Sequence, residues 1–268
     1  MTTIASRLQA VNERIARAAR DAGRLPQDVT LVVVSKTFPI TSISEAYAAG
    51  QRAFGENYVQ EALEKISALS RLIVSGQAAP ENVDNERPGG DVHPSAGVAS
   101  PQAGPLLRPL EWHFIGPIQS NKTRPIAEHF SWVHGVEREK IAVRLSEARP
   151  VHLPPLQVCI QVNVSGEQSK SGVAPELAPD LAIAVSRLPR LKLRGLMAIP
   201  EPTADEALRH ARFRALRALR DDIVRRGLDL DTLSMGMSDD LEPAIAEGAT
   251  LVRIGTAVFG ARPALRPA

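Results

Sequence analysis

The hydrophobic pattern changes period repeatedly along the chain. Ile4, Leu8, Val11 and Ile15 recur at steps of four, three and four, which predicts an opening helix with one apolar face. Next comes an unbroken β-branched run, Val29-Thr30-Leu31-Val32-Val33-Val34-Ser35. Its lack of polar alternation predicts a strand buried on both faces. Further β-rich runs predict strands near 52–54, 112–115, 132–134, 156–164, 191–197, 232–234 and 251–254, with helical stretches between them. One of these, 42–49, opens on the capping-box spacing Ser42…Glu45 and stops at Gly50. Another, 203–226, keeps Phe213, Leu216, Leu219 and Ile223 in helical period.

Eight strand–helix units predict an α/β fold, a single (β/α)8 TIM-type barrel occupying 1–268 as one domain. The last unit, 256–268, is too short and too rich in Pro for a full helix, and the opening helix is expected to fill its place. An open doubly wound sheet is the competing architecture, but no G-x-G-x-x-G turn follows the first strand. Residues 74–110 break the rhythm, with six Pro and five Gly among 37 positions and neither period. That composition buries too little apolar surface to offset chain entropy, and it is expected to be a flexible surface insertion or a lid. His93 is its only side chain with candidate chemistry.

Composition narrows the function. Apolar residues make up 44% of the chain and aromatics only 4%, so aliphatic side chains must fill the core. A formal charge of +2 offers no broad field for nucleic acid or an anionic membrane, although the pI is 8.9. The arginines at 209, 212, 214, 217 and 220 alternate with apolar positions and with Asp221 and Asp222, as on a solvated helix face. Cys159 is the single cysteine and lies in an apolar run, which predicts a buried thiol and excludes an intramolecular disulfide. Residues 1–20 carry charges in every turn and match neither a signal peptide nor a membrane span, so a cytoplasmic location is expected. P-loop, H-E-x-x-H and G-x-S-x-G motifs are absent, and the six histidines lack metal-ligand spacing.

Two places suggest chemistry. Lys36 leaves the first strand at the rim of the core, a placement that suits a Schiff-base lysine, although taken alone a solvated lysine closing a strand is the more ordinary reading. After strands seven and eight come Ser234-Met235-Gly236-Met237-Ser238, followed by Asp239 and Asp240 in the first turn of a helix, and Arg253-Ile254-Gly255-Thr256. In a barrel these loops commonly hold phosphate, and Gly236 and Gly255 permit close backbone approach. They read equally well as ordinary strand-to-helix turns.

The chain resembles the pyridoxal-phosphate homeostasis proteins, the YggS/PROSC group, over nearly its whole length outside the Pro/Gly-rich insertion. The matching stretches include Val33-Val34-Ser35-Lys36-Thr37, Phe54-Gly55-Glu56-Asn57-Tyr58-Val59-Gln60-Glu61, Trp112-His113-Phe114-Ile115-Gly116, Gln119-Ser120-Asn121-Lys122, Leu233 to Ser238 and Val252 to Gly260. The resemblance implies pyridoxal 5′-phosphate (PLP) as cofactor, held as a covalent aldimine on Lys36. Ser234, Gly255 and Thr256 would surround the phosphate, Arg253 would reach the pyridine nitrogen, and Asn57 would lie beside the ring. It further implies the barrel of alanine racemase without that enzyme's second domain, a monomer, and apo-PLP enzymes as recipients. Pro117, where many relatives carry another residue, and the insertion are departures that affect local loop shape.

A lysine amine, with a pKa near ~10.4, attacks an aldehyde only when burial or a nearby cation lowers that value, and Lys36 near Arg253 is expected to meet both conditions. Arg253 can only donate hydrogen bonds, which makes the ring a weak electron sink. Racemisation needs acid–base groups on both faces of its substrate. Tyr47 and Tyr58 are the only tyrosines, and both are expected to serve packing. Three readings follow: a non-catalytic carrier of PLP, a PLP-dependent amino-acid racemase, and a cofactor-free barrel acting on a sugar phosphate.

Overall fold

The computed structural model describes residues 2–78, 110–166 and 171–261. Eight parallel strands close on themselves in sequence order: β1 (Thr30–Val34), β2 (Ala53–Glu56), β3 (Glu111–Phe114), β4 (Trp132–Val136), β5 (Leu156–Gln161), β6 (Leu191–Met197), β7 (Thr232–Ser234) and β8 (Leu251–Ile254). The last strand pairs with the first, Val33 opposite Ile254, so no edge is left open.

Alternation along each strand divides the core into two. Leu31, Val33, Phe54, Phe114, Val158, Ile160 and Ile254 pack outward against helices, whereas Val32, Ala53, Trp132, Cys159, Met197 and Leu251 form a separate cluster inside the barrel. Cys159 is fully buried there, and burial pushes its thiol up to about 12, which leaves it inert.

The opening helix α1 (Ile4–Asp21) is capped by Thr3, whose hydroxyl accepts the Ser6 N–H, and it buries Ile4, Leu8, Val11 and Ile15. It packs against α8 (Leu241–Ala246) and α9 (Thr256–Phe259), with Arg14 Nη2 at 2.7 Å from Glu242 Oε2. The four-residue α9 is too short to cover its own strand, and α1 completes the outer layer. Helix α2 (Ile40–Ala48) begins behind Pro39, two residues earlier than the capping-box spacing predicted. Ser42 therefore lies in its first turn and caps nothing, while Gly50, at φ +94°, does end it.

The remaining helices are α3 (Val59–Val74), α4 (Thr123–His129), α5 (Glu139–Ala148), α6 (Ala178–Ser186) and α7 (Glu206–Arg225). The arginines of α7 pair locally: Arg214 and Arg217 with Glu247, Arg212 with Glu201, and Arg220 with Asp221. Strand β5 ends at Gln161, three residues short of expectation, and beyond it Val162 bridges to Val173. Residues 74–110 fall outside the described residues apart from their two ends. No helix among the described residues is long and apolar enough to cross a membrane.

Candidate functional site

At the carboxyl ends of the strands lies a cavity of about 220 Å³. Lys36 enters from β1, Asn57 from β2, Arg253, Gly255 and Thr256 from β8, and Met237, Ser238 and Asp239 from the loop after β7. Five of the six sequence-predicted residues thus share one wall. A larger opening of about 480 Å³ adjoins it behind Met237 and Asp239, but neither Lys36 nor the β8 loop reaches it. The arginines there, Arg209 and Arg212, bond the carbonyls of Thr203 and Glu201 at 2.7 and 2.6 Å.

Asn57 is set by a close approach of two strand ends. A Cβ on Gly116 would fall 2.3 Å from the Asn57 carbonyl oxygen, so only glycine lets the loop after β3 lie against it. The Asn57 side-chain Oδ1 is buried without a hydrogen-bond partner. A buried unpaired amide oxygen costs about 1 to 3 kcal/mol, and on the cavity wall this one can accept from a ligand or a water.

Lys36 sits in a turn in which the Phe38 N–H donates to the Ser35 carbonyl at 3.1 Å and Thr37 takes φ +68°. A left-handed, β-branched residue costs about 1 to 3 kcal/mol, so the surroundings must impose this backbone. The Thr37 N–H donates to Glu61 Oε1 at 2.5 Å, and Lys65 Nζ reaches the Ser35 carbonyl at 2.7 Å. Lys65 also bonds Glu61 and the fully buried Glu56, whose carboxyl accepts the Ser35 hydroxyl at 2.7 Å.

Ser234 departs from expectation. As the third residue of β7 it faces the barrel interior, is fully buried, and does not line the cavity. Its hydroxyl accepts from Arg253 Nη1 at 2.5 Å and meets His134 Nδ1 at 2.7 Å, while Arg253 Nη2 donates to the Ala198 carbonyl at 2.8 Å. Burial pulls the Arg253 guanidinium down to about 10, still protonated at neutral pH. Gly236 also lies away from the cavity, and its missing side chain makes room for Ala244 of α8. Asp239 and Asp240 precede α8 instead of starting it, and Asp240 accepts the Met237 N–H. On the β7 loop it is Ser238 that faces the cavity.

The chain of contacts continues to His113, whose Nδ1 lies 2.9 Å from His134 Nε2. The chain can run with the Ser234 hydroxyl donating to His134 Nδ1 and the His134 Nε2–H to His113 Nδ1, or with both bonds reversed, since the serine oxygen has a second lone pair. Either way His113 Nε2 lies 3.9 Å from Glu111 Oε2 without a hydrogen-bond partner. Burial pushes His113 down to about 3; burial, then His113 and Arg253, hold His134 well below the usual imidazole range. With folded values depressed, the stability these residues contribute is present above pH 6.5 and is lost as pH falls toward about 3. We expect the urea midpoint to fall across that window, and His113→Gln to remove about half of the histidine-linked slope. An unchanged slope in the variant would show that the pair is not the cause.

The signals for Glu61, Lys65, His113 and His134 were faint. Lys65 falls on the buried stripe of α3 between Ala62 and Leu69, at helical spacing, where a lysine needs a partner. The two histidines sit at inward positions of neighbouring strands, and nothing in their sequence spacing joins them.

A closed parallel barrel with a lysine leaving its first strand and an arginine and a glycine turn on its last is a barrel of the alanine racemase N-terminal type. The family model for that domain, "Alanine racemase, N-terminal domain", matches residues 6–263. A pyridoxal phosphate homeostasis protein from Pseudomonas aeruginosa is 57% identical over 268 residues, 100% of both chains. Its counterpart in Escherichia coli K12 is 47% identical over 262 residues, 98% of each. The solved structure of PipY from Synechococcus elongatus with PLP bound superposes with a TM-score of 0.72 at 33% identity, covering 96% of this chain and 100% of that one. The chain belongs to the pyridoxal phosphate homeostasis protein family, the YggS/PROSC group.

Proposed function

We propose that this protein binds pyridoxal 5′-phosphate in the cavity at the barrel mouth, holds it reversibly as a Schiff base on Lys36, and serves PLP homeostasis without catalysis of its own. The observation that carries this reading is the convergence of Lys36, Asn57, Arg253, Gly255 and Thr256 on one cavity. The site fits the group on its own terms, because Asn57 Oδ1 is an orphaned buried acceptor on the wall of the cavity that Lys36 enters. Val258 and Phe259 donate their N–H groups to the Gly255 carbonyl, which leaves the N–H groups of Thr256 and Ala257, with the Thr256 hydroxyl, to receive a phosphate.

The bound group supplies an aldehyde, whose carbon accepts the Lys36 amine with loss of one water. Arg253 is anchored by Ser234 and Ala198; facing the pyridine nitrogen it would offer only a hydrogen-bond donor, which would keep that nitrogen unprotonated. Ser234 thus acts through Arg253 and does not touch phosphate. An unprotonated ring is a poor electron sink, and Asp239 is the only carboxylate on the cavity wall among the described residues. Tyr58 is 58% exposed, and Tyr47 packs under Arg52 at 4.1 Å, so neither offers the second acid–base group that a racemase needs. In this reading the protein is a cytoplasmic monomer that passes PLP to apo-enzymes and keeps the free aldehyde low.

Borohydride reduction of PLP-saturated protein, followed by peptide mass spectrometry, tests the reading. We expect one adduct on Lys36 and none in Lys36→Ala, with retention of the ligand falling at least about tenfold. Unchanged trapping in the variant would remove Lys36 from the site. Rapid racemisation of free amino acids by the purified protein would replace the carrier reading with an enzymatic one.

A further inference from the structure

Three side chains outside the cavity meet at the turn that carries Lys36. Ser35 and Phe38 close that turn, and Thr37 occupies its third position with φ +68°, where a type II turn takes glycine. Left to itself a threonine would leave this conformation. It is held there because Glu61 Oε1 accepts the Thr37 N–H while Lys65 Nζ grips the Ser35 carbonyl. A lysine ammonium has three donors, and those of Lys65 go to the Ser35 carbonyl, Glu56 and Glu61. Glu56 in turn holds the Ser35 hydroxyl. None of Glu56, Glu61 and Lys65 lines the cavity.

We propose that Glu61, Lys65 and Glu56 are positioning residues for Lys36: together they impose a left-handed turn on a residue that resists it, and so fix the direction from which the amine enters the cavity. The proposal rests on Lys36 being the point of attachment. It gives a task to Glu56 and Glu61, which the resemblance left without one.

Glu61 is the residue to vary first, because it is partly exposed and its loss leaves the core packed. In Glu61→Ala without ligand, the Thr37 amide should exchange at least about tenfold faster. Attachment of PLP to Lys36, followed by stopped-flow absorbance, should slow about tenfold, the size expected from a released left-handed residue. Binding of pyridoxamine 5′-phosphate, which lacks the aldehyde, should change by less than about twofold. Glu61→Gln keeps an acceptor and should recover most of the rate. Thr37→Gly in the Glu61→Ala background should recover part of it, since glycine adopts this backbone unaided.

If the unsubstituted protein forms no adduct on Lys36, the underlying functional reading fails. If it forms one and Glu61→Ala attaches PLP equally fast, the positioning role fails. Equal losses in attachment and in pyridoxamine 5′-phosphate binding would also overturn it, by showing general damage to the site.

Discussion

Gly195→Ala is expected to unfold the barrel. Gly195 pairs with Thr232 across β6 and β7, and an added Cβ would stand 1.8 Å from the Thr232 carbonyl oxygen and 2.7 Å from its carbon. Both partners are backbone in a closed sheet, so no side chain can swing aside. Relief requires separating two strands, which breaks ladder hydrogen bonds and opens a gap in an interior packed at crystal density. We expect a loss of at least about 4 kcal/mol, a large part of the roughly 5 to 15 kcal/mol that holds a domain together. Soluble yield should collapse, and any folded fraction should melt about 10 °C lower or more. Gly50→Ala provides the contrast, because at φ +94° an alanine is strained but meets nothing within 4 Å. It should cost only about 1 kcal/mol. Similar midpoints for the two variants in a urea titration would show that strand separation does not limit the first.

The barrel was legible because short β-rich runs, the first of them the unbroken stretch 29–34, alternate eight times with helical periods. One boundary failed where two local signals competed. Ser42…Glu45 has capping-box spacing, yet Pro39, with its fixed φ, starts α2 sooner. Lys36, Gly255 and Thr256 were readable from their place at the carboxyl ends of strands one and eight, whereas Asn57 and Arg253 were named only through the family resemblance. Ser234 was misplaced because it is still inside its strand, where alternation turns it toward the interior and Arg253 claims its hydroxyl. The supporting contacts were illegible for a different reason. Glu56 and Lys65 meet across a strand and the following helix, and His113 and His134 across neighbouring strands, at distances that only the closed fold sets. Lys65 on an otherwise apolar helix stripe was the one visible clue.

Lys65→Met is expected to destabilise the protein by about 3 to 5 kcal/mol near neutral pH, because it leaves a buried carboxylate without its cation. Glu56 is fully buried and its Oε2 has no partner. Burial raises its pKa, while the Lys65 charge and the Ser35 hydroxyl hold it down. The folded-state value already lies above the ordinary 4.5, so the folded protein binds this proton more tightly than the unfolded chain does. Its contribution to stability is therefore complete below pH 4.5 and is lost as pH rises through the folded value. Removing Lys65 moves the folded value further up and deepens the loss on the neutral side. The gap between variant and unsubstituted protein in urea midpoints should thus widen from acid to neutral pH. Adding Glu56→Gln removes the uncompensated charge and should restore most of the stability at neutral pH, though not the grip on the Ser35 carbonyl. That double variant separates two roles of one ammonium group: recovered stability with slow attachment at Lys36 is the outcome expected if Lys65 both neutralises the core and aims the turn. A gap independent of pH would mean that the lost contact is steric, and the charge account of this network would fall.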